Sequence, residues 1–130
     1  MAYSFLLIDD SSIVRKVITR TIGMTDIKVD SLIEAENGKD ALEKLRDHWV
    51  DLVFLDINMP VMNGVEFMEV LRADPVLKDT PVVVVSTEGS AERIDKLTAL
   101  GIKAYLRKPF TPEALIEAVG HVLKQVKERT

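Results

Sequence analysis

Five polar side chains in this sequence each close a short strand-like run. Phe5-Leu6-Leu7-Ile8 ends in Asp9-Asp10, Leu52-Val53-Phe54-Leu55 in Asp56, Val82-Val83-Val84-Val85 in Ser86, and Ala104-Tyr105-Leu106-Arg107 in Lys108. Crowded carboxylates repel one another, and removing them from water worsens the repulsion. A hard divalent cation resolves it. Mg²⁺ takes oxygen ligands, commonly one or two carboxylates, and keeps several waters. Asp10 and Asp56 are the candidate direct ligands, with Asp9 acting through a water. A carboxylate such as Asp56 beside that ion can attack phosphorus and form an acyl phosphate. Lys108 offers a cation and Ser86 a hydroxyl to the phosphoryl oxygens. Singly, each residue has a plainer role: Asp9-Asp10 as a helix cap, Ser86 in a local turn, Lys108 in solvent. Their shared placement at strand ends favours phosphoryl chemistry.

That placement requires particular elements. Apolar runs this short, bounded by polar residues, read as strands buried on both faces. In an open parallel sheet, ligands bind beyond the carboxyl ends of the strands. Between the runs lie helix-like segments. Ser11 or Ser12 can cap a first helix, with Ile13, Val14, Val17, Ile18 and Ile22 on its inner face and Gly23 as terminator. A second strand is expected over Ser31 to Ala35. Asn37-Gly38 marks a turn, then a helix turns Ala41, Leu42 and Leu45 inward. Phe67, Met68 and Leu71 mark a third helix. Ser90 caps a fourth, with Ile94, Leu97 and Leu100 inside and Gly101 past its end. A fifth strand covers Lys103 to Arg107. Thr111 caps a last helix with Pro112 at its first position and a stripe of Leu115, Ile116, Val119, Val122, Leu123 and Val126. Repeated βα units with right-handed crossovers give a parallel α/β sheet with helices on both faces.

The bulk properties agree. A chain of 130 residues is expected to be one domain spanning 1–130 with no output domain. The net charge of −4 gives no basic excess for nucleic acid. The absence of cysteine excludes disulfides and thiolate metal sites. No apolar stretch approaches the roughly 18 residues of a membrane span, and no signal-like basic start precedes Phe5. The expected setting is cytoplasmic.

The motifs Leu7-Ile8-Asp9-Asp10-Ser11, Leu55-Asp56-Ile57-Asn58-Met59-Pro60, Met62-Asn63-Gly64, Val85-Ser86-Thr87 and Lys108-Pro109-Phe110 together resemble the receiver domain of bacterial two-component response regulators, in its single-domain chemotaxis type. The resemblance covers essentially the whole chain. It implies a flavodoxin-like, doubly wound sheet of five parallel strands in order 2-1-3-4-5. It implies Asp56 as phosphoacceptor, Asp9 and Asp10 as the acidic pair holding Mg²⁺, and the Asn58 backbone carbonyl as a further ligand. Ser86 would be the switch hydroxyl, Tyr105 the aromatic switch residue, and Lys108 the phosphoryl contact, joined to Pro109 by a cis bond. The implied partners are a histidine kinase as phosphodonor and a downstream protein such as a flagellar motor switch or a phosphorelay partner. A monomer is expected, with autophosphorylation from small phosphodonors and self-dephosphorylation. Ser86 and Tyr105 would carry the phosphorylation signal to the face formed by the fourth helix, fifth strand and fifth helix. Glu88 and Asn58 flank the site, where they could tune water access; Glu88 reads equally well as a loop acid. The segment from Thr25 to Ser31 is slightly longer than in the family pattern.

Other residues read more simply. His48 and His121 lie away from strand ends and suit surface or core roles. Trp49 is expected to pack beneath the turn after the second helix, where its fluorescence could report metal or phosphate. Met59, Met62 and Met68 read as core filler. Arg93, Lys96, Lys103, Arg107 and Lys124 lie on or near the expected output face. Two rival functions are set beside the switch. A phosphatase of the haloacid dehalogenase type also uses a strand-end Asp, Mg²⁺ and Lys, but needs a second Asp where Asn58 stands. A docking module without phosphotransfer would not need the full residue set.

Overall fold

A computed structural model describes residues 2–87 and 89–129, with side chains through Lys124. Glu88 and the Val126 side chain, both given roles above, lie outside the described residues. The elements alternate as expected: β1 (Tyr3–Ile8), α1 (Ser12–Gly23), β2 (Val29–Ala35), α2 (Gly38–Asp47), β3 (Leu52–Leu55), α3 (Gly64–Ala73), β4 (Val82–Ser86), α4 (Ala91–Ala99), β5 (Ala104–Arg107) and α5 (Pro112–Arg129). The sheet is parallel throughout, in order β2-β1-β3-β4-β5.

The strands' two-residue period divides the core into two layers. Leu6 and Ile8 of β1, Val53 and Leu55 of β3, and Val82 and Val84 of β4 face a cluster with Ala41, Leu45, Phe67, Met68, Leu71 and Leu97, beneath α2, α3 and α4. The intervening Phe5, Leu7, Leu52, Phe54, Val83 and Val85 face Ile18, Ile22, Leu115, Val119 and Val122, beneath α1 and α5. Both faces are therefore covered, which explains unbroken apolar runs in place of alternation. Each fully buried Leu, Val or Phe contributes about 1.5–3 kcal/mol relative to exposure.

Capping sets the helix starts. Ser11, Asn37, Asn63 and Ser90 each accept from a backbone N–H in the first turn of α1, α2, α3 and α4. Asn63 and Glu66 form a reciprocal capping box. Thr111 accepts from Ala114 N–H at the start of α5. Asn37-Gly38 is thus a helix entry as well as a turn.

Several expectations need correction. Ile13 and Val17 are 72% and 45% exposed. The stripe of α1 that meets the sheet runs through Val14, Ile18, Thr21 and Ile22; at about 100° per residue, Ile13 and Val17 lie on another side. Buried Thr21 satisfies its hydroxyl by donating to the Val17 carbonyl, 2.8 Å. Ile116 is likewise half out of its stripe. β1 and β2 start earlier than expected, at Tyr3 and Val29. Tyr3 N–H donates to the Lys28 carbonyl, and the register shifts between Tyr3 and Ser4. That irregularity absorbs part of the longer Thr25–Ser31 segment into the sheet. Trp49 is not packed beneath a turn but 81% exposed. It sits before β3, at the opposite end of that strand from Asp56. His48 and His121 are on the surface. Among the described residues, no helix is long and apolar enough to cross a membrane.

Candidate functional site

The strand register assembles the site. Ile8 pairs with Leu55 across β1 and β3, and Asp56 N–H donates to the Ile8 carbonyl, 2.9 Å. Leu55 pairs with Val84 and Ser86 with Arg107, and Lys108 N–H donates to the Ser86 carbonyl, 2.9 Å. The last backbone bonds of β1, β3, β4 and β5 thus set Asp9, Asp56, Ser86 and Lys108 on one rim. The Lys108-Pro109 bond is cis, as the resemblance implied.

Asp9 and Asp56 are buried, Ser86 is fully buried and Asp10 is exposed. One carboxylate oxygen from each of Asp9, Asp10 and Asp56 lies within 4.8 Å of the others. Lys108 Nζ is 2.8 Å from Asp9 Oδ2 and 3.7 Å from Asp56 Oδ2. Asp9 Oδ1 accepts from Ser11 N–H at 2.8 Å, so Asp9 is held by two donors. Asp56 Oδ1 accepts from Ile57 N–H, 2.8 Å, and the Ser86 hydroxyl also bonds to the Asp56 carboxylate. Burial pushes the Asp56 carboxyl above the usual range and neighbouring Asp9 adds to the rise, while Ser86, Lys108 and Ile57 N–H oppose it.

Three acids against one ammonium leave excess negative charge in a partly dry rim. The oxygen-only donor set, two members buried and one open to solvent, fits a hard divalent ion better than a borderline or soft one. Asn58 is exposed at the start of the loop leading to α3. That loop is pinned at both ends. Fully buried Ile57 accepts from Gly64 N–H at 2.8 Å, and the Met62 carbonyl accepts from Gly38 N–H at 3.0 Å. Between them Val61 has φ +67°, with Met62 N–H bonded to the Pro60 carbonyl at 2.7 Å, a γ-turn. Tyr105, on β5, packs against the cluster beneath α4, its hydroxyl oxygen shielded from solvent.

Sequence reasoning missed Arg15. Its guanidinium donates to the Asp9 carbonyl and, at 2.8 Å, to Glu34 Oε1 at the end of β2. It braces the backbone carrying the acidic pair. No local signal marks it, since its partners come from other strands. Gly64 was noted only as part of a motif. A Cβ there would lie 2.5 Å from the Asp56 carbonyl oxygen and 2.8 Å from the Ile57 Cα, so a side chain is excluded by the backbone at the end of β3.

The carboxyl rim of this doubly wound parallel sheet carries an acid triad, a lysine and a buried hydroxyl, an arrangement suited to a divalent ion and a phosphoryl group. The family model for the response regulator receiver domain matches residues 5–120. The chain is 37% identical over 119 residues to a Campylobacter jejuni chemotaxis protein CheY homolog, covering 91% of this chain and 90% of that protein. It is 36% identical to chemotaxis protein CheY1 of Helicobacter pylori, covering 91% and 94%. The crystal structure of chemotaxis response regulator CheY4 of Vibrio cholerae superposes with a TM-score of 0.82 at 32% identity, covering 94% and 99%. The chain belongs to the response regulator receiver family, the phosphorylation-activated switches of two-component signalling. It is a signalling protein, and membership in that family sets aside the phosphatase reading.

Proposed function

We propose that Asp56 accepts a phosphoryl group from the phosphohistidine of a partner kinase, and that the phosphorylated chain signals through the face formed by α4, β5 and α5. The carrying observation is the buried Asp56 carboxylate, flanked by Lys108 on one side and bonded to Ser86 on the other. In the transfer, an Asp56 oxygen forms a bond to phosphorus as the phosphorus–nitrogen bond breaks, and the released imidazole takes up a proton. Lys108 meets one phosphoryl oxygen and Ser86 another, so charge developing on the transferred group falls on donors already in place. The same rim admits water on the Asn58 side, which supports self-dephosphorylation by attack on phosphorus. Asp10, Asp56 and the Asn58 carbonyl, with Asp9 behind them, would hold Mg²⁺, which when bound supplies charge neutralisation for the phosphoryl oxygens.

Phosphorylation adds roughly −1.5 to −2 of charge next to Ser86. Ser86 follows Val84 and Val85, which pair with Tyr105 and Leu106 of β5. A shift of Ser86 therefore reaches the ring of Tyr105 through one pair of strands, biasing the outer face between two states. The chemotaxis names of the relatives favour a chemotaxis output, such as a motor-switch protein, over a phosphorelay, and a cytoplasmic setting. Incubation with phosphoramidate, a small nitrogen–phosphorus donor, and Mg²⁺ tests the reading by intact mass. The wild-type chain gains one phosphoryl group, Lys108→Ala gains it slowly, and Asp56→Asn gains none. Equal modification of Asp56→Asn would overturn the assignment.

A further inference from the structure

We propose that the groove between the α2–β3 and α3–β4 loops is a docking site for a partner protein segment presenting an arginine or lysine beside an apolar side chain. The groove lies at the amino ends of β3 and β4, the end of the sheet away from Asp56, and encloses about 490 Å³. Its two walls are large apolar side chains left open to solvent, Trp49 at 81% and Val76 at 86% exposure. Leu77 and Pro81 continue the apolar surface between them. A single exposed apolar residue is ordinary. Two that face one cavity, one of them Trp, are the composition of an interface anchor.

Both walls are held in place before any partner arrives. Trp49 Nε1 donates to Asp51 Oδ1 at 3.2 Å, and Asp51 Oδ2 in turn accepts from Ser4 N–H at 2.9 Å. Asp74 Oδ1 accepts from the backbone N–H of Val76 and Leu77, at 2.8 and 3.1 Å. Such preorganisation lowers the ordering cost of binding. The charge of the lining selects the partner. Asp47, Asp51 and Asp79 are acidic, Asp79 standing near Arg72, and Arg46 is the one lysine or arginine in the lining. A cation entering here meets carboxylates beside the Trp49 indole, and its apolar neighbour meets Val76. The groove stands open between its loops, which suits a chain segment better than an enclosed small molecule. Occupation of this end leaves Asp56 accessible, so the partner is held whether or not the chain is phosphorylated.

The test uses the full chain labelled with ¹⁵N and short blocked peptides carrying Leu-Arg-Leu, its charge-reversed Leu-Glu-Leu counterpart, and Ala-Arg-Ala. The first shifts the Trp49 indole N–H and the Val76 and Leu77 amides saturably, and each counterpart binds at least about tenfold more weakly. Trp49→Ala and Asp47→Lys, both at exposed positions, each weaken the first peptide by about tenfold or more, while phosphorylating the wild-type chain with phosphoramidate and Mg²⁺ leaves its binding unchanged. Absence of a saturable shift, equal binding of Leu-Glu-Leu, or unchanged binding by Trp49→Ala would overturn the proposal. Loss of binding once the wild-type chain carries a phosphoryl group, verified by intact mass, would overturn its independence from phosphorylation.

Discussion

Gly64→Ala joins the packing of this fold to its chemistry in one methyl group. The added Cβ would sit 2.5 Å from the Asp56 carbonyl oxygen, roughly 1 Å inside an ordinary contact, and 2.8 Å from the Ile57 Cα. Neither atom belongs to a flexible side chain. Asp56 N–H is tied to Ile8 and the Ile57 carbonyl to Gly64 N–H, so the β3 end and the first turn of α3 must separate. Overpacking of this kind costs about 1–3 kcal/mol. The better helix propensity of Ala returns at most about 1 kcal/mol. The balance spans about 0–3 kcal/mol and centres on a loss of about 1–2 kcal/mol, a fall in Tm of several degrees for a domain of this size. Movement of the same backbone displaces the Asp56 carboxylate from Lys108 and Ser86, so phosphorylation slows together with the loss of stability. Gly120→Ala is the control: its Cβ meets nothing within 4 Å, and Ala in mid-helix adds about 0.5–1 kcal/mol. Thermal melts and urea midpoints of both variants, with phosphorylation rates from acetyl phosphate, make the comparison. Gly64→Ala melting and reacting as wild type would refute the close-approach argument.

Three further outcomes follow from the structure. Val61→Gly relieves a β-branched residue held at φ +67° in the γ-turn and raises stability by about 1 kcal/mol in urea titration. Arg72 donates to the carbonyls of Leu100, Lys78, Thr80 and Gly101; Arg72→Ala costs about 1–3 kcal/mol, and Arg72→Lys fails to restore it because an ammonium cannot span that set. The Asp56 carboxyl is raised in the folded metal-free chain, mainly by burial. The folded state therefore holds that proton more tightly than the unfolded state, and stability falls as pH rises from the unfolded carboxyl range through the folded one. Without metal, Asp56→Asn is accordingly more stable than wild type above that window, and the gain vanishes below it. Unfolding midpoints across pH in chelator check this, and a constant difference at all pH values would contradict it.

The strands and the rim were legible because both rest on local signals; the order of the strands came from the family resemblance. Buried parallel strands announce themselves as apolar runs, and Asp9, Asp56, Ser86 and Lys108 each stand at the end of one. The caps Ser11, Ser90 and Thr111 were legible for the same reason, since a cap and its helix are neighbours in sequence. What escaped is what depends on partners distant in the chain. The face of α1 buried against the sheet is chosen by where the helix sits, so Ile13 and Val17 read as core and lie outside it. Arg15 and Arg72 look like ordinary surface cations until Asp9, Glu34, Leu100 and Thr80 are brought to them. Trp49 was expected beneath the turn after α2, yet its loop leaves it at the edge of a groove. The clash behind Gly64 exists only once β3 and α3 are in place.

The central claim is that Asp56 is the group that takes phosphorus. The most direct measurement is chemical mapping: phosphorylate the chain with acetyl phosphate and Mg²⁺, reduce the acyl phosphate with borohydride, digest, and locate the reduced residue by mass spectrometry. Reduction at position 56 alone, abolished by chelator, is the predicted result. Reduction at Asp9 or Asp10, or none in a folded and Mg²⁺-supplied chain, would contradict it.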